Sequence, residues 1–329
     1  MGVTGARWAA SRAPGRIAFL IAGLATLTGC GWERQQSGPP VQAGTISVDE
    51  AEIWYQTIGT GQPVIVIHGG PGLDHGYLLP GLEPLGETNR LILYDQRGLG
   101  ASTAPLDSSS ITMTRFLDDI DALRDRVAGV ERISLLAHSW GAIPALLYAM
   151  RWPQRVDRLI LMSPTEPGQR YATETAAAQE AKRLPEDVAA VDSISRTPAF
   201  QRGDRRASSQ LFFHVFRGTF ADPTIADTAF HPMLAERTAL QGRAVAALLM
   251  TPLAGLDFWD QLTELDVPIL IIRGTEDPIP LAMVREMEAA LPNARLVEIS
   301  GAGHFPFVEK RNETLEAIEA FLRERDPTS

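Results

Sequence analysis

The chain has 329 residues, 45% hydrophobic and 21% charged, with a formal net charge of −10 and a single cysteine. That balance is ordinary for a globular protein and excludes a disordered or collagenous chain. One cysteine excludes an intrachain disulfide and any cysteine-cluster metal site, and the acidic charge excludes a general nucleic-acid binder, which needs a basic face against phosphate.

In chain order, Arg7, Arg12 and Arg16 precede an apolar run, 17–27, and Thr28-Gly29-Cys30 follow. A basic stretch, a short apolar run and small residues describe a secretory signal. The run is shorter than the roughly 20 residues a spanning helix needs. Leu27-Thr28-Gly29-Cys30 resembles the lipobox of bacterial lipoproteins, which implies cleavage before Cys30 and a lipid on its thiol. The expected products are a signal peptide (1–29) and a lipidated, flexible tether (30–43), with the body held outside the cytoplasm at the cell envelope. Three of the 30 basic residues and none of the 40 acidic ones precede Cys30, so the chain from Cys30 onward carries −13.

Two β-rich runs, 45–48 and 51–58, flank Asp49-Glu50 and predict a hairpin. Short continuous apolar runs at 63–68, 90–94, 133–137, 159–162, 269–273 and 296–299 suit strands buried on both faces, as in a parallel sheet. Between them the pattern predicts a short helix within 75–85, an amphipathic helix over 114–128, helices over 141–151 and 281–291, and a closing helix around Leu315, Ile318, Phe321 and Leu322. Strands alternating with helices imply an α/β, doubly wound, mostly parallel sheet. Residues 164–256 break that rhythm. They are rich in Ala, Arg, Glu and Phe, with breakers at Pro185, Pro198, Pro223 and Pro232, and predict a helical cap inserted between two parts of the core, 44–163 and 257–329. Such a cap would lie over the C-terminal edge of the sheet, where open α/β folds bind ligands.

The chemistry starts at Leu135-Leu-Ala-His-Ser139-Trp-Gly141: a strand ends, a serine stands two residues before a glycine, and a helix begins. This is close to the G-x-S-x-G nucleophile elbow, with Ala137 as the small residue before the serine. A serine hydroxyl needs a base, and the base an orienting acid. His304 lies in Gly301-Ala-Gly-His304 after the last strand, and Asp277 in Gly274-Thr-Glu-Asp277-Pro after the preceding one; Glu276 is the rival acid. His68-Gly-Gly-Pro-Gly72 follows the strand 63–68 and offers a backbone N–H to a substrate oxyanion, from Gly70 or alternatively Gly69, with the N–H of Trp140 as second donor. Neither G-x-x-x-x-G-K-[ST] nor G-x-G-x-x-G occurs, so no phosphate cradle is expected, and no cofactor.

His68-Gly-Gly-Pro-Gly72, Asp95-Gln-Arg-Gly-Leu-Gly-Ala-Ser102, His138-Ser-Trp-Gly141 and Gly274-Thr-Glu-Asp277 together resemble the α/β-hydrolase superfamily. Within it they resemble the proline iminopeptidase branch of serine aminopeptidases. The resemblance implies Ser139 as nucleophile, His304 as general base, Asp277 as its orienting acid, and structural roles for Asp95–Gly98 and His138. The expected substrate is a small peptide or an ester. A carboxylesterase or lactonase would use the same triad, and a catalytically silent, membrane-tethered binding protein is the non-enzymatic alternative. Two departures weigh on the branch: Ala137-His138 stand where prolyl-specific members carry two glycines, and no tryptophan lies between Trp152 and Trp259, where those enzymes hold the substrate amine in a tryptophan–glutamate setting. Glu174, Glu180, Glu186 and Glu236 are the cap acids considered for that amine. Phe212, Phe213, Phe216 and Phe220 suit the cap's own core better than a substrate pocket, and His214 and His231 lack a metal-ligand constellation, so no metal is expected.

Overall fold

The computed structural model describes residues 38–230 and 242–324. The expected signal, Cys30 and most of the tether lie outside the described residues, as do His231 and Glu236. No helix among the described residues is long and apolar enough to cross a membrane.

The strands are β1 (Val41–Val48), β2 (Ala51–Ile58), β3 (Gln62–Ile67), β4 (Asn89–Tyr94), β5 (Ile133–His138), β6 (Val156–Met162), β7 (Ile269–Gly274) and β8 (Ala294–Ile299). They form one eight-stranded sheet in the order β1-β2-β4-β3-β5-β6-β7-β8. β1 and β2 pair antiparallel and β2 joins β4 antiparallel; every other neighbour is parallel. The expected tether is corrected at its end: 41–43 belong to β1, with Val41 opposite Ile58 and Ala43 opposite Gln56. The hairpin ladder simply extends past Thr45.

The central strands are Ile-, Val- and Leu-rich because both faces are covered. One apolar layer holds Ile65, Ile67, Leu135 and Ile271 with the helices α1 (Met113–Leu123) and α2 (Ala142–Arg151). The other holds Val64, Val66, Leu136 and Ile272 with Phe305, Phe307 and Ile318. The predicted helix over 114–128 is α1, whose N-cap Thr112 accepts the Arg115 N–H; it then loosens into a π turn, Arg124–Ala128, that Gly129 closes. The helix expected within 75–85 becomes three short turns, His75–Tyr77, Leu79–Leu82 and Glu83–Glu87, because Pro80, Gly81, Pro84 and Gly86 interrupt any longer run.

Between β6 and β7 the chain is helical: α3 (Ala172–Lys182), α4 (Pro185–Ser195), α5 (Arg205–Phe216) and α6 (Gly242–Leu253) are its longer elements. α7 (Leu281–Ala290) and α8 (Arg311–Arg323) complete the core. β3 connects outward to β4 while β5 lies on β3's other side. The crevice between the C-terminal ends of β3 and β5 is therefore the point where the strand order reverses, the place where open α/β sheets bind ligands.

Candidate active site

β5 delivers Ser139 to that crevice. The chain turns so abruptly that Ser139 adopts φ 54°, a left-handed conformation rare outside glycine. It enters a single 3-10 turn, Ser139–Gly141, before α2. A side chain at 141 is impossible, since a Cβ there would lie 2.6 Å from the Ile67 carbonyl oxygen and 2.9 Å from that of His68. This is why the elbow needs its second glycine. Ala137, before the turn, is fully buried.

Three side chains far apart in sequence meet here. His304 Nε2 lies 3.0 Å from Ser139 Oγ, and its Nδ1 lies 3.1 Å from Asp277 Oδ1. His304 and Asp277 are 6% and 5% exposed. Burial pushes the Asp277 carboxyl towards protonation, but the facing His304 and the Ile279 N–H, 3.0 Å from Oδ1, outweigh it and hold Asp277 below the usual carboxylate range. The Ser163 hydroxyl adds to this from close by, although no full hydrogen bond joins it to Asp277 Oδ2. Arg273 fixes the acid's loop by donating to the carbonyls of Asp277 and Ile279 at 2.9 and 3.0 Å. The rival acid Glu276 is 54% exposed and faces Lys182 at 3.8 Å. An imidazole placed between a serine and a buried carboxylate can take the serine's proton and be stabilised as it charges.

The glycine loop after β3 resolves its own ambiguity. The Gly69 N–H donates to the Tyr77 hydroxyl at 2.7 Å, so it is already used. The Gly70 N–H makes no hydrogen bond among the described residues, and Gly70 lines the same cavity as Ser139 and His304. Its φ of 134° is one that only glycine adopts readily. Trp140 stands in the first turn behind the elbow, where N–H groups have no intrahelical partner.

Sequence reading missed the network behind these groups. Tyr77, having accepted from Gly69, hydrogen-bonds His138 Nδ1 at 2.8 Å, and His138 Nε2 meets the His304 carbonyl at 2.9 Å. With His138 neutral, only one proton arrangement satisfies all three contacts: Tyr77 donates to Nδ1, and Nε2–H donates to the carbonyl. Burial first, and His304 second, push the His138 pKa down to about 3, so this imidazole is neutral. Glu309 braces the other side. Its carboxylate accepts the N–H groups of Gly303 (2.9 Å), Phe305 (3.2 Å) and Ala221 (2.7 Å), and the His304 N–H donates to the Thr219 carbonyl. The histidine loop is thus tied at once to the glycine loop and to the inserted helical region.

Asp95–Gly98 is structural, as expected. Asp95 is buried and accepts the His75 N–H (3.0 Å), His75 Nδ1 (2.6 Å) and the Ala101 N–H (2.7 Å), while Arg97 grips Asp119 through two bonds of 2.8 and 2.6 Å. Asp74, His75 and Asp95 form the one group of potential metal ligands among the described residues, but Asp95's oxygens are already committed to these donors. His214 pairs with Asp187 at 2.7 Å.

Of the acids considered for the amine, the three that are described, Glu174, Glu180 and Glu186, do not line the Ser139 cavity. Glu174 and Glu180 are exposed, and Glu186 faces Arg217. The carboxylate that does line the Ser139 cavity is Glu166, four residues past β6 and unmarked by any motif. Tyr171 N–H holds its Oε2 at 2.9 Å, and burial, together with nearby Asp257 and Glu174, raises its pKa. Of the four phenylalanines, Phe213 and Phe220 are buried in the core, Phe220 stacking on Phe305, and Phe216 lines the cavity.

Residues 62–311 match the model of the alpha/beta hydrolase fold family. The chain belongs to that family. This α/β-hydrolase is 30% identical, over 80% of its length and 91% of the relative's, to the proline iminopeptidase of Lactobacillus delbrueckii subsp. lactis. It is similar to the crystal structure of a proline iminopeptidase-related protein from Thermus thermophilus (TM-score 0.65, 27% identity, 86% of this chain and 97% of that one). In fold it also matches the enol-lactonase of Burkholderia xenovorans (TM-score 0.60, 21% identity, 85% and 100%). The α/β-hydrolase is accordingly a hydrolytic enzyme.

Proposed function

We propose that this α/β-hydrolase is a serine aminopeptidase that releases N-terminal residues from small peptides through an acyl-enzyme. The observation that carries the aminopeptidase reading is Glu166, a carboxylate lining the cavity of Ser139 and His304. A free α-amine is protonated below about pH 8 and needs a carboxylate partner; a neutral ester needs none. The kinship with proline iminopeptidases supports the same reading.

In the mechanism, Ser139 Oγ attacks the carbonyl carbon of the first peptide bond while its proton passes to His304 Nε2. The ionised Asp277, which stays deprotonated because of its lowered pKa, stabilises the imidazolium. The oxyanion rests on the N–H groups of Gly70 and Trp140; one such donor is typically worth about 3–4 kcal/mol. The C–N bond then breaks as His304 gives its proton to the leaving nitrogen. Water, deprotonated by His304, adds to the acyl carbon, and the C–Oγ bond breaks with return of the proton to Ser139.

Aminoacyl nitroanilides with free and with acetylated amino groups test the reading. Free-amine substrates are expected to be cleaved at least about tenfold faster in kcat/KM, the fold-change of one charge-assisted hydrogen bond; equal or preferred cleavage of blocked substrates would replace the aminopeptidase with an esterase or lactonase. We propose further that residues 164–256 act as the cap that selects substrate, and that Cys30 carries a lipid holding the catalytic body at the outer face of a bacterial membrane. The lipobox-like Leu27–Cys30 supports the anchor. A Cys30→Ala chain should move from the membrane fraction to the soluble one with its specific activity unchanged; retention of the variant in the membrane would refute the anchor.

A further inference from the structure

Two cavities flank Ser139, and they differ in chemistry. One, of about 260 Å³, contains Ser139 and His304 with polar walls from Thr165, Thr175, Gln179 and Thr219. The other, of about 320 Å³, is walled by Trp140, Ile143, Pro167, Met250, Leu253 and Leu256. The two share Gly70, Thr165 and Glu166, so the amine-binding carboxylate and one proposed oxyanion donor stand at their junction.

Reaction geometry decides which part of the substrate goes where. The leaving nitrogen must receive a proton from His304 Nε2, so the departing peptide occupies the chamber that His304 lines. The carbonyl oxygen points to Gly70 and Trp140. With the α-ammonium on Glu166, the one remaining substituent of the N-terminal residue, its side chain, is directed into the second chamber, bounded by Gly70 and Trp140. Ile143 and Trp140 are 4% and 6% exposed, and Met250, at 54% exposed, stands where the wall meets solvent. An alanine methyl or a proline ring would leave most of this space unfilled, and an apolar wall gains only from the carbon placed against it.

We infer that the apolar chamber is the acyl-side specificity pocket and that the enzyme takes peptides with bulky aliphatic or aromatic N-terminal residues, in preference to alanine or proline. The inference rests on the aminopeptidase reading for the placement of the amine, and the test separates the two. It measures kcat/KM for nitroanilides of alanine, proline, leucine and phenylalanine, and for nitrophenyl esters of matching acids without the amine: propanoate, isocaproate and hydrocinnamate. Leucine and phenylalanine are expected to exceed alanine and proline by at least about tenfold, and isocaproate and hydrocinnamate to exceed propanoate likewise, since one methylene in an apolar pocket is typically worth about tenfold or more. Leu253→Trp, which fills the chamber from its half-exposed wall, should remove the advantage of the large groups in both series. Preference for alanine or proline, or an ester series indifferent to acyl size, would overturn the pocket assignment. Failure to cleave any nitroanilide, with the ester preference intact, would overturn the aminopeptidase reading and leave the chamber as the acyl pocket of an esterase.

Discussion

The C-terminal edge of the sheet and the inserted helical region both line the Ser139 cavity, yet they are built differently. Every residue of β5 and β7 is buried, and the loops leaving these strands are braced by buried hydrogen bonds, as at Tyr77–His138 and Arg273–Asp277. In the inserted region α3 buries no residue and α4 buries only Asp187. Much of what joins those helices is ionic: Arg217 reaches Glu186, Asp187 and Asp227, and His214 reaches Asp187. The pairs with exposed Glu186 and Asp227 contribute only about 0–1 kcal/mol each, whereas apolar burial and satisfied buried hydrogen bonds define a unique geometry. The Ser139–His304–Asp277 constellation sits on the buried sheet edge, and the helices above it are held to one another more loosely.

The largest effect that could break this comparison is Ser139→Ala. Turnover should fall by about 10⁴-fold or more while folding is kept; appreciable residual turnover would move the chemistry away from the sheet edge.

Acidification comes next, and it probes the edge specifically. Burial lowers the pKa of His138 to about 3 and of His68 to about 4, against an ordinary value of 6.5. Between pH 6.5 and those values the unfolded chain binds protons that the folded chain does not, so stability is present near neutral pH and is lost progressively as pH falls through that window. Urea midpoints should drop from about pH 7 to about pH 4.5 by the equivalent of a few kcal/mol. A flat profile would mean that these imidazoles are not held neutral.

Glu166→Gln removes a charge from the cavity without changing its shape. Activity on free-amine substrates should fall about 10–100-fold, with ester hydrolysis changed by less than about threefold; equal losses on both would make Glu166 a structural residue. Tyr77→Phe cuts the links to Gly69 and His138. It should lower kcat about tenfold with KM nearly unchanged, and a change confined to KM would contradict a role in holding the two loops. At the small end, Glu174→Gln and Glu180→Gln in the exposed helix α3 should change kcat/KM by less than about twofold.

The sheet edge was the legible part of the sequence. Apolar runs marked β3 to β8, and residues that must stand at strand ends, Ser139, Asp277 and His304, are each flagged by glycine or small neighbours. Tyr77, His138 as a link, and Glu309 escaped notice because their roles exist only across the fold: Tyr77 and His138 are 61 residues apart. The inserted helical region was poorly legible for a different reason. α3 carries no apolar stripe, so its glutamates could not be sorted into cavity and solvent faces, and Glu166 lies before the helices begin. Length expectations failed only where local chemistry intervened, as at Pro80 and Pro84, or where a ladder ran on, as at 41–43.

The most direct measurement is labelling of the intact enzyme with a fluorophosphonate probe, followed by peptide mapping and assay of residual hydrolysis. A single adduct on Ser139, formed in step with loss of activity and absent from a His304→Ala variant, is the expected result. An unlabelled but active enzyme, or an adduct elsewhere accompanying inactivation, would contradict the assignment of Ser139 as nucleophile.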